Sequence, residues 1–139
     1  MLLKGQMEIQ NPNYECYPGQ ILQANKNRNK DGSPAHMMVF LSSSADKEMY
    51  FIGAMLTSVI KAKYSNVPLD NEMFISEDKH GNKYSFPTKT TAVRGRKLLK
   101  LVEWAPFIVV GELTPDGLAF VEKITGDTRP TVDERNANQ

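Results

Sequence analysis

The apolar positions of this chain fall into short runs separated by clusters of turn-forming residues. Gln20–Ala24 follows Pro18-Gly19 and reads as a strand. The stretch from Asn25 to Pro34 is polar, basic and rich in Asn, Gly and Pro, so it reads as a loop. His36–Leu41 and Met49–Leu56 are continuous apolar runs, the pattern of strands covered on both faces. Glu72–Ser76 and Lys83–Phe86 flank Asp78-Lys79-His80-Gly81-Asn82 and predict a hairpin, because Gly and Asn tolerate positive φ. Thr90–Val93 and Leu98–Val102 predict two more strands, with Gly95 marking a bend. A short helix is expected within Ser58–Ser65.

One helix carries explicit end signals. Thr114 suits an N-cap, Pro115 the first helical position, and Asp116 the positive end of the helix dipole. Leu118, Val121 and Ile124 recur at helical spacing, and Gly126 is the stop. Gly117 lowers the intrinsic propensity of this helix by up to ~1 kcal/mol relative to alanine. Many short strands with a late helix predict a mainly β fold with short helices: a small, strongly curved antiparallel sheet or barrel with a C-terminal helix. The expected organisation is an irregular segment over 1–13, one domain over 14–125 and a flexible tail over 126–139.

The 139 residues suit one domain able to bury its own core. Seventeen basic and sixteen acidic residues give a net charge of +1, so a nucleic-acid surface must be local rather than global. Cys16 is the single cysteine, which excludes an intrachain disulfide. Lys4, Gln6 and Glu8 interrupt the apolar start, so no targeting signal is expected. No apolar stretch approaches the ~18 residues of a spanning helix. The expectation is a soluble, cytoplasmic protein with no membrane partner.

Two basic segments stand out. Lys26, Arg28 and Lys30 lead into His36, and Lys89–Lys100 carries Lys89, Arg94, Arg96, Lys97 and Lys100 without an acid. Such segments contact phosphates and position a strand without reading its sequence. Tyr64, Tyr84, Phe86 and Trp104 supply rings on which bases stack. If the runs around His36 and Thr57 pair antiparallel, a strand start and a strand end meet at one sheet edge. Histidine suits proton transfer, and a hydroxyl suits donation to a phosphate. The same pattern also fits a half-buried strand-end histidine beside a turn threonine. His36, His80 and Cys16 have no metal-site spacing, and no phosphate-binding or dinucleotide loop occurs, so neither metal nor cofactor is expected. Glu112 and Asp116 read as helix-terminus charges.

The order of segments resembles the MazF/PemK/Kid toxin family. Pro18-Gly19-Gln20-Ile21-Leu22 is similar to its opening Gly-Asp-Ile/Val strand, with Gln20 in place of the acid. His36–Ser42 occupies the place of its Arg-Pro-led strand. Leu56-Thr57-Ser58 resembles its apolar-Thr-Ser end, Val67-Pro68-Leu69 its apolar-Pro-Leu strand, and Gly111–Pro115 its entry to the last helix. The likeness spans about residues 18–125. It implies an SH3-like barrel that cleaves single-stranded RNA without metal, works as a homodimer and is covered by an antitoxin protein. Carried over by position, the catalytic threonine falls on Thr57, and the catalytic arginine on His36, a different residue type. On that reading His36 and Thr57 are catalytic, while Lys26, Arg28, Lys30, Ser58, Arg94, Arg96 and Lys100 bind RNA. Two other readings stand beside it: a CcdB-like gyrase inhibitor, and a non-catalytic SH3-like binding module of a phage or mobile element.

Overall fold

The computed structural model describes residues 8–26, 32, 35–57, 66–81, 83–84 and 91–132. The chain is mainly antiparallel β sheet with short helices and a C-terminal helix. A one-turn helix, α1 (Pro12–Glu15), precedes β1 (Gln20–Ala24), β2 (Met38–Ser43), β3 (Tyr50–Thr57) and β4 (Asn66–Pro68). Then follow β5 (Ala92–Arg94), β6 (Leu98–Leu101), β7 (Phe107–Glu112), α2 (Pro115–Thr125) and β8 (Thr131–Val132). The sheet order is β4-β5-β3-β2-β1-β7. The long β3 serves two neighbours on its second side: its end pairs with β5 and its beginning with β6.

The path from β4 to β7 has no ladder joining its two ends among the described residues, so the expected barrel is an open sheet by pairing. It is nevertheless strongly curled. The isolated bridge Phe74↔Leu113 lays residues 73–75 along the end of β7, with Ile75 N–H donating to Glu112 O (2.8 Å) and Thr114 N–H to Met73 O (2.8 Å). Curling also lets Ile21, Val39, Ala54, Leu56, Val93 and Val121 share one buried cluster, although they come from four strands and α2.

The opposite side chains of the same strands are also buried. Leu22, Phe40, Phe51 and Phe107 form an aromatic cluster, and Met38, Met55 and Leu98 a smaller one. Phe51 meets Phe107 edge-on with ring centroids 5.5 Å apart. Cover on both faces explains why β2 and β3 read as unbroken apolar runs rather than alternating ones.

The predicted helix forms as its end signals dictate. Thr114 Oγ1 accepts from Gly117 N–H (3.0 Å), and Gly126, at φ +52°, closes the helix with its N–H on Glu122 O. The expected hairpin is reduced to a single bridge, Glu77↔Lys83, around a turn with Gly81 at φ +83°. Its first leg is instead a 3-10 turn at Asn71–Met73; Phe86 and the helix expected within Ser58–Ser65 lie outside the described residues.

The expected boundaries change at both ends. Within the stretch read as irregular, Ile9 bridges Phe107 and α1 forms under an Asn11 cap. Beyond Gly126, where a flexible tail was expected, β8 pairs in parallel with β6 through Leu98↔Thr131 and Leu99↔Val132. Lys97 N–H also donates to Thr128 Oγ1 (3.1 Å). Among the described residues, no helix is long and apolar enough to cross a membrane.

Candidate functional site

The β2–β3 ladder runs through Phe40↔Gly53, Val39↔Ala54 and Met38↔Met55. Leu56 N–H then donates to Met37 O (2.9 Å), extending the pairing beyond β2. Extrapolated one residue past this bond, the same register brings His36, which precedes β2, level with Thr57. Directly opposed residues in an antiparallel pair hold their Cβ atoms ~4.5–5.5 Å apart. Side chains alternate along a strand, so His36 shares a face with Met38 and Phe40, and Thr57 with Met55 and Phe51. Both belong to the methionine–phenylalanine face, at the end where its packing gives way to half-buried side chains.

The third strand adds a cation. Thr57 pairs with Ala92 and Leu56 with Val93. Val93 belongs to the helix-side cluster, so Ala92 and Arg94 face the other way, with Thr57. Arg94 is therefore diagonal to Thr57, ~7–8 Å at the backbone, a gap within reach of a long side chain. It is half-buried, as are His36 and Thr57. The extrapolated register thus brings the imidazole of His36, just before β2, toward the end of the face that carries the Thr57 hydroxyl of β3 and the Arg94 guanidinium of β5. That set can take a proton, donate to a phosphate oxygen and offset developing negative charge.

The remaining expected residues divide. Lys26 and Arg96 are exposed and free to meet phosphates. Arg28, Lys30 and Ser58 lie outside the described residues, as do Tyr64 and Lys89. Lys100 does not fit the expected role at the surface: it is 2% exposed, with Nζ 3.9 Å above the Trp104 ring. A lysine inside Leu98–Leu101 reads as the solvent side of an alternating strand, but here that side is covered by Phe51 and Trp104. Trp104 therefore lends its face to Lys100 rather than to a base.

Glu112 also departs from expectation. It ends β7 rather than capping the helix, and its Oε1 accepts from both Tyr17 OH (2.9 Å) and Tyr84 OH (3.3 Å). The strand that carries it was not expected, although Phe107-Ile108-Val109-Val110 is a clean β-branched and aromatic signal. Burial, and then the Glu112 carboxylate, push the Tyr17 phenol up to about 12. Tyr84 shifts the same way, again chiefly from burial. Both stay protonated donors across the physiological range. Burial, with a smaller effect from Glu15, pushes the Cys16 thiol up to about 12, which leaves it a poor nucleophile.

Among the described residues, no three His, Cys, Asp or Glu side chains converge as a metal site would require. Comparison with protein-family models, with curated proteins and with solved structures found no match for the chain.

Proposed function

We propose that the chain is an endoribonuclease of the toxin–antitoxin type that cleaves single-stranded RNA by attack of its own 2′-hydroxyl. The observation that supports this reading is the antiparallel β2–β3 ladder and the β3–β5 pairing, whose register, extended to Met37 by a hydrogen bond and one residue further by extrapolation, brings His36 level with Thr57 and leaves Arg94 diagonal to it. His36 takes the 2′-hydroxyl proton as that oxygen attacks phosphorus. Thr57 donates to a non-bridging oxygen, and Arg94 offsets the added negative charge of the five-coordinate phosphorane. The 5′-oxygen leaves with a proton drawn from water, giving a 2′,3′-cyclic phosphate and a 5′-hydroxyl end. Lys26 and Arg96 hold flanking phosphates. A cytoplasmic location, a homodimer and an antitoxin that covers the site belong to the same proposal.

The test is cleavage of a long single-stranded RNA in EDTA, with mapped ends, by wild type, His36→Ala and Thr57→Ala. Discrete cuts with 5′-hydroxyl ends are expected. Loss of the proton-transfer group lowers the rate roughly 10²–10⁴-fold, and loss of one phosphate donor roughly 10²–10³-fold. Intact RNA with folded wild-type protein, or cuts unchanged in both variants, overturns the proposal and favours a non-catalytic protein-binding role.

A further inference from the structure

At the far end of β7 from Phe107, the 3-10 turn at Asn71–Met73, the Phe74↔Leu113 bridge and the turn between Glu77 and Lys83 enclose a cleft of about 520 Å³. Phe74, Ile75 and Gly111 contribute its apolar lining, while Glu77, Tyr84 and Glu112 contribute polar atoms. The cleft contains none of the residues assigned to RNA cleavage.

Glu112 organises it. The hydroxyls of Tyr17 and Tyr84 arrive from separate parts of the sequence and both bond Oε1. Among the described residues, Oε2 receives no donor. Two tyrosine hydroxyls thus fix the carboxylate through Oε1, and among the described residues Oε2 keeps its accepting capacity. Among the described residues that line the cleft, the formal charge is negative. Glu77 and Glu112 line the cleft against Lys83 alone, and Asp78 lies close enough to act on both tyrosines. The upward displacement of both phenols is consistent with that sign, though burial is its largest cause. A negative field disfavours the phosphates of a nucleic acid and favours a cation. Aromatic faces beside a carboxylate are suited to an alkyl-borne cation, whose stem packs on rings while its charge meets the acid.

We propose that this cleft binds an alkylammonium or alkylguanidinium group, with the cation's N–H donors on Glu112 and its apolar stem against Phe74 and Ile75. Such a group comes either from a basic side chain of a partner protein or from a free polyamine. This proposal stands apart from RNA cleavage, and either can fail without the other.

Calorimetric titration of the full chain with butylguanidinium and with butylurea, its neutral isostere, tests the assignment. Saturable binding is expected for butylguanidinium, with Kd on the order of 1 mM or tighter, and none for butylurea. Glu112→Gln keeps an oxygen for the tyrosine hydroxyls but removes the charge, and is expected to weaken binding at least ~10-fold. Lys83→Ala changes an exposed residue that repels the ligand, so it is expected to tighten binding roughly 2–5-fold at low salt. Equal binding of butylurea, absence of saturation, or unchanged affinity in both variants overturns the proposal. A capped Gly-Gly-Arg-Gly-Gly peptide and spermidine separate the two sources, since the tighter of them identifies which is preferred.

Discussion

Replacing Gly117 by alanine separates two opposed effects in α2. Helix propensity alone predicts a gain of ~1 kcal/mol, since glycine is the poorer helix former. The packing predicts the reverse. A Cβ at Gly117 would lie 2.5 Å from Met73 O and 2.9 Å from Met73 Cβ. Reaching an ordinary 3.4 Å contact with the carbonyl requires about 0.9 Å of movement. That carbonyl accepts from Thr114 N–H (2.8 Å) and Thr114 Oγ1 (3.3 Å), and Thr114 is the helix cap. Overpacking of this kind costs ~1–3 kcal/mol, and a weakened cap adds up to ~1 kcal/mol. After subtraction of the propensity gain, Gly117→Ala is expected to destabilise by up to about 3 kcal/mol, with a central value of about 1.5 kcal/mol. Urea unfolding should show a lower midpoint with an unchanged slope. Ala119→Gly, at an exposed position of the same helix, calibrates the propensity scale and should cost ~1 kcal/mol. A Gly117→Ala protein as stable as wild type, or more so, would refute the packing argument.

Alkaline stability provides a second check. A phenol whose pKa rises on folding contributes fully below its ordinary value of 10 and loses that contribution as pH climbs through the folded value, about 12 for Tyr17. The urea midpoint should therefore fall from pH 10 upward, and less steeply in the Tyr17→Phe/Tyr84→Phe double variant. Cys16→Ala should remove a parallel decline that starts near pH 9; a midpoint that rises over this window contradicts the assignment. The Lys100–Trp104 contact is expected to give a coupling of ~1–2 kcal/mol in a double-mutant cycle of Lys100→Met and Trp104→Leu. A coupling near zero would show that the two side chains are neighbours without attraction.

What the sequence revealed was local. Thr114, Pro115 and Gly126 state the limits of α2 within its own few residues, and Gln20–Ala24 coincides with β1. The His36–Leu41 run located β2, but the strand begins two residues later and includes Ser42 and Ser43, which no apolar pattern marks. The expected meeting of His36 and Thr57 was conditional on their runs pairing antiparallel; the runs do pair, with the ladder ending at Met38↔Met55. Long-range features were not legible. Tyr17 and Glu112 are 95 residues apart. Thr131–Val132 is a strand only because Leu98 and Leu99 present backbone to it. Lys100 was misread because Phe51 of β3 and Trp104 stand on the side of β6 that an alternating pattern assigns to solvent, and Gly117 carries a packing constraint from Met73 that its propensity alone does not reveal.

The irregularity in the β2–β3 ladder also governs which changes the site tolerates. Between Phe40 and Ser42 the pairing shifts by one residue, so Ser42 faces Ile52 while Phe40 faces Gly53. The portion leading to His36 and Thr57 therefore keeps its own alignment, independent of the portion that enters the turn. It is fixed at Gly53, where an added Cβ would lie 2.7 Å from Val39 O. A residue inserted into or deleted from the 44–49 turn can be accommodated at the bulge before it reaches the paired histidine and threonine. The bulge thus acts as an expansion joint: the turn can diversify in length while the opposite end of the same two strands keeps its alignment.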